Sequence, residues 1–476
     1  MPVGDIIPEI AVLLTAVTVL LAATLLPRKR QASCAWLALA GLAVALVFCA
    51  VQVGTSKLTF SGVWALDGAS TWARLMILGT TAFAIALSPD WMKTDRRHGE
   101  FYAVLLFACL GAMALAGAAD LMQVVMGALL SSVTGYTLAA YHRDWSTSVE
   151  AGMKYFLVGA LANTVMVTGV VLMLGMVGTT DFAKMETTLA AGASSPLLML
   201  GFGLVVVGLA FKLGAVPAHV WMPDVAEAAP VPAAAFLTVA PKIGAAIALV
   251  RLVGLFPTDA FAIRPVIAIL SVLTMTLGNL AALWQDDVRR LIGWSSVSQS
   301  GYALMAVTVV GLTEQAVPAF LFFLLGYAVA NLAAFAVVGH LRGRTDRHDY
   351  SGLVATRPVA ATILVLSFLS LVGIPPLAGF VGKLELFVAS MDGGYGWLAI
   401  VAIANTVASL FYYLRVIGPL SFGEAKGARP QILGGWSSAC MSVGGFLVLT
   451  IGLGAGVLLA ALERATLLPL ISSVAS

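Results

Sequence analysis

The chain is a succession of long apolar stretches that are separated by short polar segments. A membrane-spanning helix needs about 20 apolar residues, and by this measure the sequence predicts about fourteen spans. The predicted spans cover residues 6–26, 34–53, 70–88, 101–118, 121–141, 151–176, 197–229, 233–253, 263–284, 291–311, 317–340, 359–391, 396–418 and 439–462. These runs lack the short alternation of barrel strands, so the predicted fold class is an all-α polytopic membrane protein.

Composition supports a membrane protein and excludes an ordinary soluble enzyme. Only 10% of the 476 residues are charged and 60% are hydrophobic. In soluble domains about a quarter of all residues are charged. The net charge of +3 gives no indication of nucleic-acid binding. The cysteines form no CxxC pair, so no metal site is expected, and we expect them to be buried in the membrane: Cys34, Cys49, Cys109 and Cys440. The N-terminal apolar run is longer than a signal-peptide core and is expected to be a first span.

The basic residues predict the orientation of the chain. Loops after odd-numbered spans hold Arg28, Lys29, Arg30, Lys93, Arg96, Arg97, Arg143, Arg289, Arg290, Arg342, Arg344, Arg347, Arg357, Lys426 and Arg429. The other loops and the tails hold only Lys57, Lys184, Arg264 and Arg464. This asymmetry predicts that the odd-numbered loops are cytoplasmic and that both termini are periplasmic. The alanine- and glycine-rich composition fits a bacterial inner membrane.

A few ionisable residues lie within or at the edges of the predicted spans. A charge at mid-membrane costs at least a few kcal/mol, so such residues are candidates for function. The basic members are Arg74, Lys154, Lys212, Lys242, Arg251, Lys383 and Arg415, and Glu385 is the acid placed well within a span. The three arginines lie near span ends and are expected to extend toward the interface. Glu385 is expected either to face a neighbouring subunit or to lie at a solvated helix end.

Two of the predicted spans are too long for one straight helix and contain prolines. The segments FKLGAVPAHVWMP and LVGIPPLAGFVGK interrupt residues 197–229 and 359–391. Proline removes a backbone donor and clashes with the preceding turn, so each helix is expected to break there. Lys212 lies just before the first break, and Lys383 just after the second.

The positions of the two breaks predict an internal repeat. They fall in the seventh and twelfth spans, which cross the membrane in opposite directions, as in inverted repeats with discontinuous helices near an ion site. We therefore predict a single transmembrane domain with three N-terminal helices in residues 1–95. It continues with a first repeat (spans 4–8, residues 100–253), a second repeat (spans 9–13, residues 263–420) and a last helix at residues 439–462.

Three lysines spread along the chain predict a polar axis rather than one ligand pocket. Lys212, Lys242 and Lys383 belong to different spans, and a buried lysine can both gain and lose a proton. For Lys154, one turn inside its span, proton transfer and extension toward the interface both remain open. His219, just past the first break, is either a proton shuttle or a hydrogen-bonded buried histidine.

Several motifs of the chain resemble the antiporter-like subunits of respiratory complex I. The segments are GLAFKLGAVPAHVWMPDVAEAAPVPAAAFLTVAPKIG, NLAALWQDDVRRLIGWSSVSQSGY and LVGIPPLAGFVGKLELF, in this order, and the resemblance covers roughly residues 100–420. It implies that Lys212, Lys242 and Lys383 are proton-transfer lysines and that Lys154 and His219 occupy polar or ionisable family positions.

The resemblance also implies the cofactors and partners of the chain. It implies no cofactor in this chain, because the flavin, iron–sulfur clusters and nicotinamide belong to other subunits. The implied partners are other membrane-arm subunits, the lipid bilayer and protons, with quinone reduction elsewhere driving proton transfer. Lysine at position 383 and the length of the chain resemble the subunit N group of NADH:quinone oxidoreductase, rather than subunits M and L.

The sequence departs from the family pattern at two positions. Leu129 in GALLSSVTGY stands where the family has a glutamate that pairs with the lysine of the seventh span. Gln299 in SSVSQSGY stands where the family often has histidine. Without the acid, Lys212 is expected to be neutral more often or to use an acid of an adjacent subunit. Two alternatives therefore remain open: a Mrp-type antiporter or membrane hydrogenase subunit, and a structural subunit that does not pump.

Overall fold

The computed structural model describes residues 2–93, 95, 97–192, 195–258, 262–424 and 434–468. The basic residues Arg96, Lys426 and Arg429, which the topology prediction uses, lie outside the described residues, as does the side chain of Lys29.

The described chain is built almost entirely of helices. The α-helices are α1 Ile7–Leu25, α2 Ser33–Val51, α3 Gly68–Trp91, α4 His98–Ala116, α5 Leu121–Ala139, α6 Ser146–Val177, α7 Phe182–Ala190, α8 Pro196–Leu213, α9 Trp221–Ala228, α10 Val231–Leu237, α11 Ala240–Gly254, α12 Ile263–Leu283, α13 Val288–Val309, α14 Ala316–His340, α15 Leu353–Thr356, α16 Pro358–Val372, α17 Ala378–Asp392, α18 Gly396–Phe422, α19 Gly435–Leu453 and α20 Ala455–Leu462. Short 3₁₀ helices cover Val3–Ile6, Arg28–Arg30 and Arg347–Tyr350, and one antiparallel hairpin pairs β1 Lys57–Thr59 with β2 Trp64–Leu66.

The helices confirm the predicted all-α membrane class. Within the described ranges, 12 helical segments are long and apolar enough to cross a membrane, with α10 and α11 together forming one of them. Neither α13 nor the pair α16 and α17 is among these 12. The predicted count of about fourteen spans stays a prediction, because α13 carries many polar residues and α16 and α17 are each only 15 residues long.

Two matching arrangements occur in the two halves of the chain. Asp120 caps α5 by accepting hydrogen bonds from backbone amides, and it forms a backbone bridge with Asp181. Asp287 caps α13 in the same way and forms a backbone bridge with Asp346. An aspartate at a helix N-terminus satisfies amides that the helix leaves free. The correspondence agrees with the predicted inverted repeats, which remain a prediction.

Two arginines that were expected to reach the membrane interface are buried ion-pair partners instead. The Arg74 side chain is 0% exposed, and its Nη1 lies 3.2 Å from Glu9 Oε1. Arg251 donates from Nη1 to Asp67 Oδ2 at 2.7 Å and from Nη2 to Asp67 Oδ1 at 3.2 Å. The expectation was wrong for both, because each arginine meets an acid from a distant part of the chain. Arg415 lies two turns before the end of α18, with its Nη2 at 2.9 Å from Oδ1 of the half-exposed Asp286.

The four cysteines agree with the sequence analysis. All of them are buried, and none forms a disulfide: Cys34, Cys49, Cys109 and Cys440. Buried thiols of this kind behave as small apolar side chains.

The pair of Arg251 and Asp67 joins three regions of the chain and should contribute strongly to stability. Asp67 caps α3 and also accepts a hydrogen bond from the Leu468 backbone amide at 3.1 Å. We expect D67N to lower the free energy of unfolding by about 3–5 kcal/mol, because it leaves the Arg251 charge buried without a counter-charge. The midpoint of thermal unfolding in detergent measures this loss.

The control for this prediction is an exposed ion pair. Lys57 lies 2.7 Å from Asp5, but the lysine side chain is 49% exposed. We expect D5N to cost less than about 1 kcal/mol, as for most surface pairs. Equal destabilisation by D67N and D5N would contradict the assigned role of the buried pair.

Candidate functional site

Helix α8 ends one residue after Lys212, at the first of the predicted breaks. Gly214 follows in the left-handed region with a φ of +68°, which favours glycine. The carbonyl groups that lose their helical partners are bonded by side chains. Trp221 Nε1 donates to the Phe211 carbonyl at 2.9 Å, and Ser300 Oγ donates to the Leu213 carbonyl at 2.5 Å. The protein itself therefore satisfies the backbone that the break exposes.

Lys212 is fully buried beside a neutral hydroxyl group. Its Nζ lies 3.5 Å from the Ser131 Oγ of α5. Leu129, at the position of the family glutamate, is 38% exposed, so Ser131 is the α5 residue that reaches the lysine. No acid among the described residues forms an ion pair with Lys212, which agrees with the expected loss of its counter-charge.

Lys242 lies beside a helix interruption that the sequence analysis did not predict. Helix α10 ends at Leu237 and α11 begins at Ala240. The Lys242 Nζ donates to the Ser296 carbonyl at 2.6 Å and to the Ser296 Oγ at 2.8 Å, and it lies 3.4 Å from the Tyr327 hydroxyl. Pro241 in TVAPKIG was the signal in the sequence, because proline is favoured in the first turn of a new helix.

The Tyr327 hydroxyl also forms a hydrogen bond with the backbone at this interruption. It donates to the Thr238 carbonyl at 2.8 Å and lies 2.7 Å from the Ser296 Oγ. Asn331 Nδ2 donates to the Thr238 side chain at 2.8 Å. The break between α10 and α11 is therefore bonded by neutral side chains of α14, and one of them also contacts the lysine.

Lys383 lies across the break between α16 and α17. Its Nζ donates to the carbonyl oxygens of Leu371 and Val372, at 3.1 and 2.9 Å, and lies 4.2 Å from the centre of the Tyr302 ring. These carbonyls are at the C-terminus of α16, where the helix dipole favours a positive charge. An aromatic ring face also attracts an ammonium group.

Helix α13 contacts the surroundings of all three lysines. Ser300 donates to the carbonyl next to Lys212 and, at 3.1 Å, to the Ser296 carbonyl that also accepts from Lys242. Gln299 Nε2 donates at 2.9 Å to the Leu371 carbonyl, which Lys383 shares. Of these residues, only Gln299 stood out in the sequence, as a departure from the family pattern. The polar run SSVSQSGY within an apolar region was the available signal for the others.

Lys154 lies apart from this buried set. Its side chain is 48% exposed and is paired with Glu150 at 2.8 Å and with Asp224 at 3.1 Å. Arg290 extends the same network by pairing with Asp224 and Glu227, around a surface cavity of about 210 Å³. Lys154 is therefore a half-exposed, ion-paired residue two turns inside α6, and its role in proton transfer stays a prediction.

His219 and Glu385 lie near the two predicted breaks. His219 is buried between α8 and α9, and its ring centre lies 5.7 Å from the ring centre of Trp294. Glu385 is half-buried on α17 and forms no ion pair with Lys383 among the described residues. The role of His219 in proton transfer and the contact of Glu385 with a neighbouring subunit stay predictions.

Sequence comparison places the chain among known membrane subunits. The family model described as "NADH:quinone oxidoreductase/Mrp antiporter, TM" matches residues 118–409. NADH-quinone oxidoreductase subunit N 1 of Streptomyces griseus is 43% identical over 461 residues, which cover 96% of this chain and 97% of that protein. Subunit N of a Mycobacterium species is 42% identical and covers 92% of this chain and 93% of that protein.

Solved structures show the same fold. A chain in respiratory complex I from Thermus thermophilus with bound aureothin is 31% identical, with a TM-score of 0.83, and the match covers 97% of this chain and 100% of that one. A chain of the Mrp complex from Dietzia has a TM-score of 0.87, covers 100% of both chains and is 21% identical. At that identity the second likeness shows the fold alone.

The hydroxyl of Tyr327 should stabilise the break between α10 and α11. We expect Y327F to lower the free energy of unfolding by about 1–3 kcal/mol, because the buried Thr238 carbonyl loses its donor. The midpoint of thermal unfolding measures the loss. Y395F is the control, since the Tyr395 hydroxyl makes no hydrogen bond among the described residues. A Y327F protein as stable as Y395F would show that the carbonyl has another donor.

Proposed function

Because the chain belongs to the family of NADH-quinone oxidoreductase subunit N, we propose that its buried lysines carry protons across the membrane. The lysines are Lys212, Lys242 and Lys383. One observation carries this proposal: the polar residues of α13 contact the surroundings of each lysine, and all three are buried without a carboxylate partner among the described residues.

Neutral partners suit a group that must gain and lose a proton. A carbonyl oxygen accepts a hydrogen bond from an ammonium or from a neutral amine, and a hydroxyl can also donate to the neutral amine. A fixed carboxylate beside the lysine would favour the ammonium and oppose release of the proton. The hydroxyls of Ser131 and Ser296 and the carbonyls of Leu371 and Val372 leave both states accessible.

The energy for proton transfer would come from other subunits of the complex. In this proposal the redox chemistry takes place outside this chain, which acts as a translocase subunit, and quinone reduction changes the charge and hydration along the lysine axis. The chain would hold no cofactor of its own. The asymmetry of the basic residues supports both termini on the periplasmic side. The alanine- and glycine-rich composition supports a bacterial inner-membrane location.

The alternative functions have weaker support. The likeness to the Mrp complex is 21% in sequence and shows the fold alone, whereas proteins named subunit N are 42–43% identical over nearly the whole chain. A structural subunit that does not pump is favoured by one observation, the leucine at position 129 in place of an acid. Measurement of proton transfer decides between pumping and a structural role.

Removal of either end of the lysine axis should reduce proton translocation. We expect K212A and K383A each to lower the number of protons moved per NADH oxidised by the assembled complex, because each removes a group that must carry the proton. The measurement uses the purified complex in proteoliposomes, with subunit content checked for each variant. K184A is the matched control, since Lys184 on α7 is 72% exposed and pairs only with Asp181 among the described residues. An unchanged proton yield in an intact K212A or K383A complex would support the structural role instead.

A further inference from the structure

Gln299 and Lys383 donate to the same backbone oxygen. The Gln299 Nε2 lies 2.9 Å from the Leu371 carbonyl oxygen, and the Lys383 Nζ lies 3.1 Å from it. Lys383 has a second acceptor, the Val372 carbonyl, at 2.9 Å. Helix α16 ends at Val372, so both carbonyls lack a partner within their own helix.

The glutamine is not needed to satisfy this carbonyl. A buried carbonyl requires one donor, and Lys383 already supplies it. The amide nevertheless occupies the second lone pair of the Leu371 oxygen, although Gln299 is only 3% exposed and belongs to another helix. The additional bond therefore affects how strongly the oxygen holds the lysine.

The same helix supplies a second neutral contact to Lys383. Tyr302 follows Gln299 by three residues, which places both on one face of α13. Its ring centre lies 4.2 Å from the Lys383 Nζ, and its hydroxyl lies 3.1 Å from the Thr406 side chain. No described acid forms an ion pair with Lys383, so these neutral groups determine how the ammonium is held.

We propose that Gln299 is a positioning residue for Lys383. Its amide competes with Lys383 for the Leu371 carbonyl oxygen and so weakens the hydrogen bond from the protonated amine to that oxygen. The amide does not itself carry a proton. When the amide is bonded to the carbonyl, the ammonium depends more on the Val372 carbonyl and on the Tyr302 ring, and it can release its proton more readily. This inference rests on the proposed function, in which Lys383 transfers protons.

The test is a double-mutant cycle in the complete complex reconstituted in proteoliposomes. The variants are Q299L, K383M and the double variant, and the readout is the rate of proton translocation. We expect Q299L to slow translocation about threefold, because the ammonium is then held more tightly by an oxygen that no longer has a second donor. In the K383M background Q299L should have no further effect, since residues that act through one another are not additive.

Two further variants separate positioning from general packing. Q299H should restore most of the rate, because a ring N–H can donate to the same carbonyl. Q31L is the matched control: Gln31 is also a buried glutamine that donates to a carbonyl, that of Ala23, at 3.1 Å, but it lies between α1 and α4. Q31L should leave the rate of proton translocation unchanged.

The outcomes distinguish this inference from the proposed function. If K383M leaves translocation unchanged, the proposed function fails and this inference fails with it. If K383M slows translocation but Q299L has no effect, or has the same effect in both backgrounds, only the inference is overturned.

If K383M abolishes translocation, a further effect of Q299L on the rate cannot be measured. The midpoint of thermal unfolding is then the test of this inference. Q299L should then lower the unfolding midpoint more in the K383M background than alone, because only the double variant leaves the Leu371 carbonyl without a donor. Equal decreases in the two backgrounds would overturn the inference.

Discussion

The structure depends on the need to bond every backbone polar group that lies within the membrane. A continuous helix does this by itself, but each interrupted helix leaves carbonyl and amide groups that no lipid can bond. Here the partners come from other helices. Trp221 and Ser300 bond the end of α8, Tyr327 bonds the carbonyl between α10 and α11, and Lys383 and Gln299 bond the end of α16. Lys212, Lys242 and Lys383 each lie at such an interruption, so neighbouring contacts bond the backbone and hold the lysine.

Residues of helix α13 contact the surroundings of all three interruptions. Its polar residues would be unfavourable in contact with lipid, and nearly all of them are buried against neighbouring helices. Ser296, Gln299 and Ser300 contact the surroundings of three different breaks from a single helix. The contacts are made by hydroxyls, amides and carbonyls rather than by carboxylates, as the proposed proton transfer requires.

Two of the buried arginines are held in ion pairs. Arg74 with Glu9 joins α3 to α1, and Arg251 with Asp67 joins α11 to the start of α3. Removal of one partner of a buried pair is strongly destabilising, because the other charge is left buried without a counter-charge. The protein therefore places charge in two settings: these arginines are paired with acids, whereas Lys212, Lys242 and Lys383 form no ion pair among the described residues.

The sequence by itself determined the membrane class, most of the spans, the two long broken helices and the three central lysines. These features follow from local properties, namely the length of apolar runs, the missing donor of proline and the rarity of charge in apolar segments. It did not reveal the break before Lys242 or the acid partners of Arg74 and Arg251. It also did not show that Lys154 forms ion pairs near the surface. Only the tertiary structure decided these points and the sharing of one carbonyl by Gln299 and Lys383, because each depends on residues that are far apart in the chain and meet only when the helices pack.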